Sequence, residues 1–386
     1  MDSYNHNTGS FSGKGGVEIF FQKWLVEKAK AVLIIVHGLG EHSGRYSNLV
    51  SAFGGKNISV FAIDHRGHGK SQGKKGHIDS FMDYIYDLKL FVEYVKEENR
   101  GLPVVLYGHS MGGVIAAKYA LTYSDDPSVV VLSSPGFAPA FTVPGWKKSV
   151  AAFFSARIGS LTMSNGLSSS DISRDSEVVA AYDNDPLVHN KVSARWFTEF
   201  MKTGEDCMAN AHSLMKPLLV FHGKGDKIAD YKASEEFGRK AGSSIKEVLL
   251  YNEMYHELIN EPEADRAKVL KDVVSWILTQ IESLKKPSAV KPAVKKAAPK
   301  KAASAKAATA KAKKPAAKKT ASAKPAAKKA STAKAAVKKT TAKPAAEKVS
   351  AAKPAAKKAV KAESKAKTKT TVKKSAPAKK STVKKK

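Results

Sequence analysis

The chain has 386 residues and a formal charge of +31, more than one ordinary enzyme surface carries. The excess is local: residues 285–386 hold 35 lysines, no arginine and only Glu347 and Glu363 as acids, a net +33 that leaves residues 1–284 at −2. All 15 Phe, 12 Tyr and 4 Trp precede residue 285, so the Lys/Ala/Pro-rich segment cannot bury enough apolar area to offset its ordering entropy and is expected to be disordered. The preceding length supports one large α/β domain, expected over residues 17–284. The single cysteine, Cys207, excludes an internal disulfide framework and fits a reducing compartment. Residues 1–16 are polar and Gly-rich, read as a flexible N-terminus without the apolar core of a signal peptide. No run approaches the ~18 apolar residues of a membrane span. The expectation is a soluble, cytoplasmic protein.

In chain order, apolar runs at 17–24, 31–36, 58–64, 103–108, 128–133, 217–222 and 245–251 read as strands. They alternate with helical patterns, which predicts a mostly parallel sheet with helices on both faces. Phe81, Ile85, Leu88, Val92 and Val95 recur at helical spacing, and so do Leu270, Val273, Ile277, Ile281 and Leu284. Residues 135–215 break the alternation: they offer helices but no strand, as a cap over the carboxyl edge of the sheet would. Within it, Trp146, Val150, Phe153, Phe154 and Ile158 mark one apolar face, read either as cap core or as the wall of an acyl tunnel or a lipid contact. In the tail, PAAKK recurs at 315–319, 325–329 and 354–358, and proline at that frequency breaks any long helix.

The chemistry begins at Gly108, His109, Ser110, Met111 and Gly112, a G-x-S-x-G match. Roughly 0.1 such matches arise by chance in a chain this long. The context is what makes it specific: an apolar strand leads in and an Ala-rich helix leads out, the strand–turn–helix that presents a nucleophilic serine. An oxyanion hole needs backbone N–H groups aimed at the developing charge. Met111 would supply one, and Leu39, between Gly38 and Gly40 after an early strand, the other. In this architecture the acid and then the histidine follow the serine. Asp226 and His256, each just past a strand, fill those places. Asp230 and Glu253 remain competitors for the acid.

The strings HGLGEHSGRY at 37–46, DHRGHGKS at 64–71, GHSMGG at 108–113, HGKGD at 222–226 and YH at 255–256 resemble the monoacylglycerol lipase and lysophospholipase branch of the α/β-hydrolases, often labelled serine aminopeptidase-like. SRDSEVVAAYDNDPL at 173–187 is similar to the cap of that branch. The resemblance covers about residues 15–283. It implies hydrolysis of single-acyl esters by Ser110, Asp226 and His256, with the cap forming an acyl tunnel to which Trp146, Val150, Phe153 and Phe154 would contribute, and with no metal or organic cofactor. Gly69-Lys70-Ser71 echoes the end of a P-loop, but the first glycine of that motif falls on Asp64. His37, His42, His65 and His68 read as structural rather than metal-binding.

The tail is similar to the carboxyl-terminal domains of linker histones. Thirty-five lysines on a flexible strand condense on a polyanion by counterion release, without base readout, and no aromatic is present to stack on bases. Three readings stay open: nucleic acid, an anionic membrane surface, or a solvated charge tail with no single partner. Two other functions stay open as well, a nucleoid-binding protein with a vestigial hydrolase scaffold and a small-ester esterase or aminopeptidase.

Overall fold

The structure, a computed structural model, describes residues 4–142 and 144–285; the lysine-rich segment from residue 286 onward lies outside them. The strands β1 (Asn5–Ser12), β2 (Glu18–Leu25) and β3 (Ala31–Val36) lead to α1 (Ser47–Ala52), β4 (Ile58–Ile63), α2 (Met82–Glu98), β5 (Val104–His109), α3 (Met111–Thr122) and β6 (Val129–Ser133). An insertion then carries α4 (Gly145–Ile158), β7 (Thr162–Ser164), α5 (Ser176–Asp183), β8 (Lys191–Ser193) and α6 (Ala194–Asn210). Beyond it come β9 (Leu218–Gly223), α7 (Tyr231–Lys240), β10 (Lys246–Tyr251) and α8 (Glu263–Lys285).

Eight strands form one sheet in the order β1-β2-β4-β3-β5-β6-β9-β10, parallel from β4 to β10, with β2 antiparallel to β4 and β1 antiparallel to β2. The central strands are apolar throughout because both faces are covered. In β3, Val32, Ile34 and Val36 join a core with α2, α3 and α7, while Ala31, Leu33 and Ile35 join the other with α1 and α8. The sequence reading of a parallel sheet with helices on both faces holds.

Two expectations change. Residues 5–12, read as part of a flexible terminus, are β1, paired with β2 from Asn5↔Leu25 to Ser12↔Glu18. An edge strand is held by its backbone ladder, so its polar side chains carry no period-two signal; Phe11, stacked 5.6 Å from Phe91, and His6, stacked 4.9 Å from Trp24, anchor it. The insertion, read as strandless, contains the short antiparallel pair β7–β8. Three-residue strands are too short to show a pattern.

The register sets the site. Val36 at the end of β3 lies opposite Gly108 of β5, and Gly223 of β9 opposite Tyr251 of β10. The loops after these four strands therefore leave the same carboxyl edge. Strand order reverses between β3 and β5, the switch point where α/β sheets open a crevice.

Candidate active site

Ser110 is the residue between β5 and α3, with φ 54° and ψ −118°. That conformation costs a side chain of order 1–3 kcal/mol and persists only when its surroundings hold it. Here Ser110 N–H donates to Ser133 O at 3.0 Å, and Ser110 O accepts from Gly113 N and Gly136 N, each at 3.0 Å. The flanking glycines have steric reasons. A Cβ on Gly108 would collide with the Gly112 carbonyl, and one on Gly112 with the Val36 and His37 carbonyls. Four non-glycine residues among those described have positive φ: Asn57, Ser110, Ser134 and Glu253. The last three sit in the loops after β5, β6 and β10.

His256 and Asp226 meet from different loops. His256 Nδ1 lies 2.7 Å from Asp226 Oδ2. The same oxygen takes a hydrogen bond from His222 Nε2 at 2.9 Å, while Oδ1 accepts from the amides of Ile228 at 2.7 Å and Ala229 at 3.0 Å. Gly223 and Gly225 let the two loops lie backbone to backbone, with Gly225 N–H donating to Met254 O at 3.0 Å. Burial would push the Asp226 carboxyl up, but His256 and the donated hydrogen bonds outweigh it and hold it well below the usual carboxylate range. His256 shows the converse: burial disfavours its charge, yet the Asp226 carboxylate raises its pKa above the ordinary value. The competing acids lie elsewhere. Asp230 caps α7 by accepting from Lys232 N at 2.9 Å, and Glu253 is exposed. Among the described residues no hydrogen bond joins Ser110 to His256; both line one cavity, and such bonds often close only with substrate bound.

The loop after β3 lies against the serine: a Cβ on Gly38 would sit 3.1 Å from Ser110 Cβ. His37 Nδ1 bonds to Gly38 O at 2.7 Å and its Nε2 to His65 N at 2.9 Å. A carbonyl only accepts, so Nδ1 carries the proton and the ring is neutral, in keeping with burial lowering its pKa to about 4. Gly38 N donates to Glu41 Oε1 at 2.6 Å. The amide N–H groups of Leu39 and Met111 donate to no acceptor among the described residues, which leaves both for a ligand. Behind the loop, Arg45 bridges Glu41 at 3.0 Å and Glu257 at 2.6 Å, tying it to the residue after His256. Sequence reasoning missed this buried ion cluster, as it missed His222. The HGLGEHSGRY string contains Glu41 and Arg45, but their partner is more than 200 positions away.

The insertion is pinned to the same loops. His189 N donates to Gly40 O at 2.9 Å, His42 bonds to Asp185 at 2.8 Å, and Glu257 N donates to Ile172 O at 2.7 Å. Two cavities, about 200 and 120 Å³, meet at Ser110 and share Leu39, Asn165, Leu167 and Ile228. The first is lined by polar groups such as Ser168, Ser169, Tyr182, Asp183 and Asn190. The second is walled by Phe141, Val192, Trp196, Phe197, Phe200 and Met201. Trp146, Val150, Phe153 and Phe154 line neither cavity, contrary to their reading as an acyl wall; they are 66, 44, 52 and 40% exposed on α4. The apolar wall comes instead from α6 and residues 136–141, because α6 packs against α3 beside the serine while α4 packs outside α6.

A serine on a strained strand–helix turn, a buried histidine–carboxylate pair and two unoccupied loop amides define an α/β-hydrolase. Residues 27–263 match the family model described as serine aminopeptidase, S33, and the chain belongs to that family. A monoacylglycerol lipase of Mycolicibacterium smegmatis is 34% identical over 283 residues, 73% of this chain and 100% of that protein. The phospholipase YtpA of Bacillus subtilis is 32% identical over 63% of this chain and 93% of its own. Among solved structures, the monoacylglycerol lipase of Paleococcus ferrophilus superposes with a TM-score of 0.62 at 28% identity, over 72% of this chain and 99% of that one. The protein is a carboxylic ester hydrolase with the α/β-hydrolase fold.

Proposed function

We propose that the enzyme cleaves esters of single-acyl lipids, monoacylglycerols or lysophospholipids, through an acyl-Ser110 intermediate. The observation that carries this reading is the pair of cavities meeting at Ser110, one almost wholly apolar and one of mixed lining in which hydroxyl, amide and carboxylate groups stand among apolar residues. An ester with a hydrocarbon chain on one side and a hydroxylated head on the other fits both. His256 takes the Ser110 proton as Oγ attacks the carbonyl carbon. The amides of Leu39 and Met111 hold the oxyanion, and Asp226 orients the imidazole and stabilises its charge. The proton passes to the leaving alcohol. Water, deprotonated by the same histidine, then attacks the acyl-enzyme and releases the fatty acid. The named activities of the relatives support this substrate class.

A fluorophosphonate probe is expected to label the wild type, and Ser110→Ala to lose both labelling and ester hydrolysis. Labelling that survives the substitution would move the nucleophile elsewhere. A preference for aminoacyl amides over long-chain glycerol esters would overturn the lipid reading.

For the tail we propose sequence-independent binding of nucleic acid in the cytoplasm. The support is its charge, 35 lysines against two acids with no aromatic residue, which suits phosphate neutralisation and offers nothing for base readout. A mobility shift on duplex DNA that falls steeply with salt is the expected result.

A further inference from the structure

The described domain has a basic face of its own. Lys30, Pro103 and Ser128 immediately precede β3, β5 and β6, and α8 ends beside them at Leu284 and Lys285. Together with Lys96, Asn99 and Arg100 they surround a groove of about 670 Å³. Its lining holds three cations and no acid. Of the three, Lys96 is paired with Asp126 at 2.9 Å, which Lys89 also engages at 2.7 Å; burial would push that carboxyl up, but the lysines outweigh it and hold its pKa at about 2. Lys30 and Arg100 have no ion pair among the described residues. The groove lies at the amino edge of the sheet, and the chain reaches it where its lysine-rich segment begins.

We propose that this groove is a nucleic-acid seat of the folded domain, in which a duplex phosphate backbone crosses Lys30 and Arg100. The inference rests on the tail reading given above and adds a fixed, addressable part to it. Position argues for nucleic acid over a bilayer. The catalytic cavities open at the carboxyl edge, and six-residue strands put that edge roughly 20 Å from the groove. A flat membrane held against the amino edge would turn the catalytic mouth and the exposed apolar face of α4 away from the acyl chains. A narrow polyanion there leaves the mouth open, so nucleic-acid binding and ester turnover proceed independently.

The test uses the full chain and a short fluorescent duplex, with affinity followed against salt. Lys30→Gln with Arg100→Gln is expected to reduce the log–log salt slope by about 1.8, two phosphates at ~0.9 each, and to weaken binding at least tenfold at low salt. Lys30→Arg with Arg100→Lys is expected to keep the wild-type slope. Lys202→Gln with Lys232→Gln, two exposed lysines away from the groove, removes the same charge and is expected to change it less. Hydrolysis of a soluble short ester within about two-fold of wild type, with and without duplex, reports an intact fold and the independence of the two faces. If the groove pair behaves like the control pair, the groove is not part of the seat. If DNA inhibits the soluble ester reaction, the two faces are not independent. If the wild type ignores duplex and binds anionic phosphatidylglycerol vesicles, the tail reading fails and the groove proposal with it.

Discussion

Asp226 and His256 form a buried, charge-coupled pair, and its pH behaviour follows from their environment. The carboxylate raises the His256 pKa above the ordinary 6.5 despite burial. In the proposed mechanism only neutral His256 can accept the Ser110 proton, so kcat/KM is expected to rise with pH, its acid limb centred above 6.5. Asp226→Asn removes the charge that raises it: the limb is expected to move down while kcat falls ~10³–10⁴-fold, because the amide favours the wrong tautomer. A limb that stays in place would mean another group titrates. The glycines admit an equally local test. Gly112→Ala forces a methyl into the carbonyls of Val36 and His37, and backbone cannot move aside as a flexible side chain can. A loss of several kcal/mol in a denaturant melt, with activity abolished, is the expected outcome. Much at this scale was legible, since Ser110, Leu39, Met111, Asp226 and His256 occupy the loops that motif and order pointed to. The choice between Asp226, Asp230 and Glu253 was not legible. All three lie near strand ends, and only the fold shows which one reaches the imidazole.

At the scale of elements, α6 takes the place beside the cavity that the resemblance implied for α4. Both carry aromatic residues, but α6 turns Trp196, Phe197 and Phe200 toward the serine while α4 exposes Val150 and Phe153. Phe200→Ala is expected to flatten the dependence of kcat/KM on acyl length, where each buried CH₂ can contribute up to ~0.8 kcal/mol, and to leave acetyl ester hydrolysis within a few-fold. Val150→Ser with Phe153→Ser is expected to leave both soluble-ester kinetics and stability nearly unchanged, as exposed substitutions do, within about 0.5 kcal/mol. A reversed pattern, with the α4 pair controlling chain length, would reject the pocket assignment. Hydrophobic periodicity finds the apolar side of a helix but says nothing of what covers it. In an insertion with no neighbouring strand pattern, that partner is set by which helix reaches the sheet first.

Across the whole molecule, catalysis and charge belong to different segments. The sheet, both helical layers and every loop at the serine lie before Lys285. Removal of residues 286–386 is therefore expected to keep kcat/KM on a soluble short ester within about two-fold and to abolish the mobility shift on DNA. The remaining residues 1–285, at a net −1, have no overall cationic excess to release counterions. The groove proposed at the amino edge is expected to assist the tail and not to replace it. A truncated protein that still shifts DNA would relocate the anchor to the folded domain.

By itself the sequence determined the division between a near-neutral domain and a polycation, the parallel sheet, the strand–helix turn at Ser110 and the chain order of the serine, carboxylate and histidine loops. These are properties of composition, period and local stereochemistry, which act between near neighbours in the chain. The tertiary structure alone decided that β1 closes the sheet edge, that His222 shares the Asp226 carboxylate, that Arg45 ties the Leu39 loop to the His256 loop, and that α6 rather than α4 walls the apolar cavity. The pairing of β1, the Arg45 bridge and the α6 wall depend on backbone pairing or on a partner elsewhere in the chain, and His222 reaches Asp226, four positions on, only because the loop after β9 folds back. Such partners are selected by which surfaces remain uncovered once the sheet has formed, and no local pattern encodes that.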